Sequence, residues 1–252
     1  MGSLPRYQEF APRADLAAHV RCIWLFEGGQ EAEDQRIAPD GCAELIVHVG
    51  QPYLERAPDG GAHRQAPVVF AGQLTSPLHL RADGPAGVIG VRFHPAGAYG
   101  YLGEAAGRYT DRRTPLDIGL DLAGLDEAAR LAAVQDHVFA RIAANPAPRD
   151  LAVEAAVDRL RTGQPVEASR DLQRRFARIV GVPPRMLAAI LRFRGVFDAL
   201  SEPGVASWTE AAHAAGYFDH PQLARDFRRF VGCTPTQFLK QQAGLASSLA
   251  RG

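Results

Sequence analysis

The stretch AAHAAGYFDHPQLARDFRRFVGCTPTQF, residues 211–238, decides how this chain is read. A run of small residues (Ala211, Ala212, Ala214 and Ala215) leads to Gly216, which takes positive φ without steric cost and so ends a helix readily. Asp219 then stands where an N-cap is needed. Gln222 follows three residues later, at the spacing of a capping box. Pro221 fits a first helical turn, where no amide partner is lost. Leu223, Phe227 and Phe230 recur at steps of four and three, so they are expected to face a core. Gln222, Arg225, Asp226, Arg228 and Arg229 are left outward. The pattern predicts two helices meeting at a tight glycine turn, the second with an apolar back and a positively charged front.

Periodicity alone leaves two readings open: an ordinary helical hairpin with a solvated arginine face, and a helix-turn-helix. In the second, the first residues of the second helix reach base edges. His220, Gln222 and Arg225 are the candidates, since Gln pairs with adenine and Arg with guanine. Arg228 and Arg229 lie further along and suit phosphates.

Working back from this stretch, SWTEAAHAAG, PRMLAAILRFRGVFDAL, SRDLQRRFARIVG and LAVEAAVDRLRTG all carry helical periodicity. TPTQFLKQQ, at the end, is also expected to be helical. Leu187, Ile190, Phe193, Phe197 and Leu200 form one buried stripe on the longest of these helices. Gly163 ends the earliest. LQRRFARIVGVPPRML and LARDFRRFVGCTPTQF align as a weak repeat, with Leu172 matching Leu223, Arg174 matching Arg225 and Phe176 matching Phe227. Arg170, Gln173 and Arg174 are then the outward positions of the first copy. NPAPRD, at 145–150, is the expected boundary. Before it, LDEAARLAAVQDHVFARIAA is a helix with Leu131, Val134, Val138 and Ile142 near one face. PAGAYGYLG is a short helix weakened by glycine. The first hundred residues are β-rich: RCIWLFEG, ELIVHVG, APVVFAG and AGVIGVRF are short apolar runs separated by turn material, as in a sandwich or barrel.

The 252-residue chain is 46% apolar with zero net charge. The neutrality is an average of unlike halves. Residues 151–252 carry 14 Lys+Arg against 9 Asp+Glu, and residues 1–150 carry 14 against 19. A basic C-terminal part can bind nucleic acid locally. Lys240 is the only lysine among the basic residues, and arginine's planar fork suits phosphate and guanine. The three cysteines, Cys22, Cys42 and Cys233, form no CxxC pair, which excludes a zinc ribbon or a disulfide scaffold. No apolar run approaches the ~20 residues of a membrane helix. The N-terminus lacks signal-peptide character, so a cytoplasmic protein without a membrane partner is expected.

Other constellations are weaker. His48, His79 and His94 lack metal-ligand spacing, so no metal is expected. Asp40 and Glu44 fit a polar site in a barrel mouth, or simply a turn at Pro39-Asp40-Gly41. Trp24 and Phe26 suit a pocket lining or a core. Cys22 and Cys42 read as buried thiols, and Trp208 as packing. No nucleophile elbow or phosphate loop occurs, so neither enzymatic activity nor a cofactor is expected.

The pattern A-x-x-A-G-Y-F-D-x-P-x-L-x-R-x-F-R-R-F-x-G-x-T-P-x-x-F, from Ala212 to Phe238, resembles the C-terminal signature of AraC/XylS-type transcription regulators. Such regulators carry two helix-turn-helix units joined by one long helix, and PRMLAAILRFRGVFDAL is similar to that helix. The resemblance covers about residues 150–242. One departure stands out: GQPV runs directly into EASRDLQRRF, so the first unit is expected to lack its positioning helix. Ala168 stands where a cap serine is expected, which would cost that helix ~1 kcal/mol. Residues from YQEF to GYLG are similar to an uncharacterised sensor-like domain found ahead of such DNA-binding halves. The family often carries a cupin-like barrel there.

The expected fold is therefore α+β. Residues 1–145 form a β-rich sensor or dimerisation domain with a trailing helix, residues 150–242 the DNA-binding domain, and 243–252 a tail. The resemblance implies a sequence-specific regulator binding double-stranded DNA, with a small-molecule effector or a second protomer, as in a homodimer, at the N-terminal domain. The alternative is a working barrel, ligand-binding or enzymatic, beside a helical half that has lost DNA binding.

Overall fold

The computed structural model describes residues 5–28, 34–57, 60–145, 149–167, 169–201 and 207–238. The strands are β1 (Arg6–Phe10), β2 (Val20–Gly28), β3 (Asp34–Ile37), β4 (Glu44–His48), β5 (Leu54–Arg56), β6 (Ala62–Arg64), β7 (Val68–Ala71), β8 (Leu78–Arg81), β9 (Ala86–Phe93) and β10 (Arg113–Pro115). They build a six-stranded sheet in the order β1-β2-β9-β4-β7-β10 and a four-stranded sheet in the order β3-β8-β5-β6. The pairings within both are antiparallel. The four apolar runs picked out in the sequence are the adjacent central strands β2, β9, β4 and β7.

Because strand side chains alternate, each central strand serves two interiors. Ile23 and Leu25 of β2, Leu45 and Val47 of β4, and Ile89, Val91 and Phe93 of β9 share one core. That core is closed by two helices, α1 (Ala98–Leu102) and α2 (Glu127–Ala143). Val134 and Val138 of α2 are fully buried in it, with Leu131 and Ile142 packed alongside, as the helical periodicity predicts. The opposite face carries Trp24 and Phe26, Glu44 and Ile46, and Val88 and Arg92, and looks towards the four-stranded sheet. Gly90 sits on this second face. A Cβ there would lie 2.0 Å from the Trp24 ring, so only glycine lets the indole lie flat on β9.

The helical half comprises α3 (Leu151–Arg161), α4 (Arg170–Ile179), α5 (Pro184–Leu200), α6 (Trp208–Ala214) and α7 (His220–Phe230). Leu187 of α5 packs with Val153 and Val157 of α3 and Phe176 and Ile179 of α4. Further along α5, Ile190, Phe193 and Val196 pack with α6 and α7. The long helix thus supplies one stripe to both helical units. Gly163 ends α3 with φ +72°, as expected.

Between α3 and α4 the described residues 162–167 and 169 form no helix, so the first unit lacks the positioning element, as the sequence indicated. The expected loss of a cap on α4 is corrected. Ser169, one residue later, is the N-cap, and its hydroxyl accepts from the Leu172 amide at 3.2 Å. Ala168 itself lies outside the described residues, as do Lys240 and the tail at 243–252. After α7, Thr234 begins the last helical stretch with a reciprocal cap. Its hydroxyl accepts from the Gln237 amide at 3.2 Å, and its amide donates to Gln237 Oε1 at 2.9 Å.

Candidate nucleic-acid interface and a pocket of the β-rich domain

The α6–turn–α7 unit is built as its sequence suggests. Gly216 ends α6 at φ +84°. The Asp219 carboxylate accepts from the Gln222 amide at 2.7 Å and so caps α7, with Pro221 in its first turn. Leu223, Phe227 and Phe230 are buried against α5 and α6, with the Phe227 ring 5.0 Å from Phe193 and 5.5 Å from Trp208. His220, Arg225, Arg228 and Arg229 are exposed and Gln222 is half-buried. The candidates from the second unit therefore share one solvent-facing helix. Arg229 also lies over the Phe230 ring.

Asp226 is a correction: it does not point outward with the arginines. It accepts from Tyr217 Oη at 2.8 Å and from Arg192 of α5 at 3.3 Å, and Arg192 also lies over the Tyr217 ring at 4.9 Å. Burial, then the bond to Asp226, raises the Tyr217 pKa. The acid thereby ties α7 to the long helix instead of contributing a negative charge to the arginine face.

Arg170, Gln173 and Arg174 are exposed on α4, with Phe176 and Ile179 behind them. Their setting differs from that of the α7 residues. Arg174 pairs with Asp171 at 2.7 Å, and Arg175 donates to both Asp150 and Asp171. The bond from Arg175 holds Asp150 below the usual carboxylate range. The β-rich domain, not a positioning helix, braces the far end of α4. Gly107 lies against the Ala177 carbonyl, and Thr110 Oγ1 donates to the Gly181 carbonyl at 2.7 Å.

The second face of the six-stranded sheet borders a cavity of about 410 Å³. Its walls are Tyr7, Trp24, Phe26, Ile46, Tyr53, Val88 and residues of the smaller sheet, with Asp40, Glu44, Arg92 and Arg113 as polar groups. Asp40 and Glu44 thus do form a polar site, and Trp24 and Phe26 do line a pocket. Arg92 joins three acids: Glu44 at 2.7 Å, Glu9 at 3.1 Å and Asp40 at 3.3 Å. Trp24 Nε1 donates to Glu44 at 3.1 Å. Burial raises the Glu44 pKa in spite of Arg92. Burial, reinforced by a hydrogen bond to Glu9, pushes Tyr7 up to about 12. Deeper in, Glu55 accepts from Arg113 and, at 3.0 Å, from Gln65, whose Oε1 lies 3.2 Å from His48 Nε2. Burial works against the Glu55 charge, but Arg113 outweighs it and the pKa falls. Of the other histidines raised by the sequence, His79 lies on β8 and His94 just after β9. Among the described residues no group of three or more His, Cys, Asp or Glu is placed to hold a metal ion. Cys22, Cys42 and Cys233 are free and buried.

Arg92 went unnoticed in the sequence, although the alternation of GVIGVRF places it on the same face as Val88. Two further arginines of the cavity could not be found by local pattern. Arg194 reaches it from α5 of the other half. Arg36 lines it and also donates to the Val231 carbonyl, at the end of α7, at 3.3 Å. Gly41, beside the Asp40 site, packs on Leu187, Ile190 and Leu191 of α5.

A capped two-helix unit thus stands beside a double-sheeted domain that borders a cavity. Residues 168–241 match the model of a helix-turn-helix domain, and residues 8–115 that of a domain of unknown function, DUF6597. The chain is thus a DNA-binding transcription regulator with a helix-turn-helix domain at its C-terminal side and a DUF6597 domain at its N-terminal side. The architecture is similar to that of ToxT from Vibrio cholerae, with 8% identity over 94% of this chain and 98% of that one, at a TM-score of 0.50. An apo ToxT variant from the same organism matches with 10% identity over 86% of this chain and 96% of that one, at a TM-score of 0.47. At such identities the likeness concerns the fold. No curated protein matches the chain in sequence. No described helix is long and apolar enough to cross a membrane.

Proposed function

We propose that α7 is the helix that reads bases in the major groove, with His220, Gln222 and Arg225 at base edges and Arg228 and Arg229 on phosphates. Arg170, Gln173 and Arg174 of α4 make auxiliary contacts to the backbone of the same DNA. The observation that carries this is the division of α7 into a fully buried aromatic back and an exposed polar front on a helix capped at Asp219. Helix-turn-helix units present their second helix to the major groove in this way. Residues 1–145 act as the sensor domain, 150–242 as the DNA-binding domain. The cavity favours a small-molecule effector over a second protomer as the ligand of the sensor domain. A space of 410 Å³ with an apolar lining and a few fixed charges has the size and character of a small-molecule site.

The test is fluorescence-anisotropy binding of the purified protein to DNA from upstream of its own gene and to a scrambled duplex. It is run at several salt concentrations with Arg225→Ala alongside. Salt-dependent binding that prefers the native sequence, and loses that preference in the variant, is expected. A variant that keeps the wild-type preference places base reading elsewhere.

A further inference from the structure

Resting on that reading of α7, we infer that Phe218 is a further specificity-determining residue, one that receives the 5-methyl group of a thymine. Phe218 is 91% exposed, more than any other large apolar side chain among the described residues. It occupies the position just before the α7 cap, Asp219. An apolar residue at that position ordinarily packs on the fourth helical residue and so fixes the entry angle of the chain. Here the fourth residue is Leu223, which is only 3% exposed and turned into the core with Phe227. The Phe218 ring is therefore not used by the fold.

It stands on the same end of α7 as His220 and Gln222. Beside it is a dimple of about 50 Å³, walled in part by Thr209, His213, Phe218 and His220. That space suits one methyl-sized group, since a water molecule occupies about 30 Å³ of liquid. A phosphate would be poorly matched, because the wall also includes the Asp219 carboxylate, which repels an anion. The thymine methyl is the apolar feature that marks a T·A pair in the major groove, and phenylalanine is among the side chains that contact it. Continuity with the proposed reading face makes DNA the occupant.

Binding duplexes are selected from a random pool with the full-length protein. Each thymine of the selected site is then replaced in turn by deoxyuridine, which removes only the methyl. The wild type should bind about fourfold more weakly at one position, the factor expected for one buried methyl group. Phe218→Ala should lose a similar factor on the thymine duplex and no longer distinguish thymine from uracil, while Phe218→Leu keeps part of the discrimination. Thermal melting of both variants should match the wild type, since the ring is exposed. A wild type indifferent to uracil at every position, or a Phe218→Ala protein that still discriminates, overturns the inference while leaving α7 as the reading helix. A pool that yields no preferred duplex overturns base reading by α7 and this inference with it. Self-association that disappears in Phe218→Ala assigns the ring to a second copy and overturns it too.

Discussion

Asp226→Ala tests whether the second unit is held to the long helix by the buried acid. Two donors lose their acceptor: Tyr217 Oη at 2.8 Å and Arg192 at 3.3 Å. A lost hydrogen bond from Tyr217 costs about 1 kcal/mol. The Arg192–Asp226 pair lies between the surface and buried limits, with side-chain exposures of 29% and 15%. Breaking a buried pair costs several kcal/mol, and an exposed one is worth about 0–1, so about 1–2 kcal/mol is reasonable here. Arg192 Nε is already buried without a partner, which leaves the guanidinium little to fall back on. The variant should therefore lose about 2–3 kcal/mol in the α5–α7 region. The chain has two tryptophans, so urea unfolding in a Trp24→Phe background follows Trp208, which packs on Phe227. Asp198→Ala is the control, since its pair with Arg194 is exposed at both ends and should change little. An Asp226→Ala protein within about 0.5 kcal/mol of its parent, the range of ordinary surface substitutions, would refute the tie.

Three other outcomes are expected. In competition titrations Arg225→Ala should cost ~1–3 kcal/mol on a selected duplex and relax specificity at one base pair, whereas Arg228→Ala should weaken all duplexes alike and lower the salt slope by about one; equal losses from Arg225→Ala on every sequence would move that residue to the phosphates. Gly90→Ala places a methyl where the Trp24 ring lies, so the barrel should lose about 1–3 kcal/mol and Trp24 emission, read in a Trp208→Phe background, should shift as the ring is displaced; unchanged emission would contradict the packing. Burial lowers the His48 pKa, so the folded barrel binds fewer protons than the unfolded chain, and the stability from this group is full above ~6.5 and declines as pH falls below that value. The urea midpoint of the barrel should fall between pH 7.5 and 5.5 and fall less in His48→Gln, with His94 and His137, also lowered by burial, keeping a residual slope; an identical slope in the variant would rule His48 out.

What the sequence showed follows from where each residue's partners lie. β2, β4, β7 and β9 were legible because they are the central strands of the larger sheet, covered on both faces and hence apolar. β1, with four exposed residues in RYQEF, and β6, exposed throughout, carry no such signal, since only their backbone pairing makes them strands. On α7 the 3.6-residue period identified Leu223, Phe227 and Phe230 correctly, because hydrophobic burial is a local pattern. It failed at Asp226, whose inward position is set by Tyr217 and by Arg192, 34 residues away. The cap of α4 was misplaced by one residue because the shortened connection from α3 offers no register of its own. The cavity was partly foreseen through Asp40, Glu44, Trp24 and Phe26. Its arginines come from β3, β9, β10 and α5, and no sequence neighbourhood links them.

The missing positioning helix changes how the two halves depend on each other. An ordinary unit would seat α4 from within the DNA-binding half. Here Gly107 and Thr110 of the N-terminal domain take up part of that contact, against Ala177 and Gly181. At the opposite end of the helical half, Arg36 holds the Val231 carbonyl that terminates α7, and Gly41 rests on the middle of α5. One domain thus touches both units and the helix that joins them. Arg36 and Arg194 also form part of the cavity wall, so a group bound there meets residues of both halves at once. A shift of the smaller sheet large enough to admit or release such a group would strain the Arg36–Val231 bond, which has only one acceptor on the helical side. The α4 seat is carried instead by the segment after α1, on the other side of the six-stranded sheet. Any coupling from cavity to DNA should therefore act first on α5, through Arg194 and Gly41, and on the end of α7, through Arg36, and reach α4 only through α5.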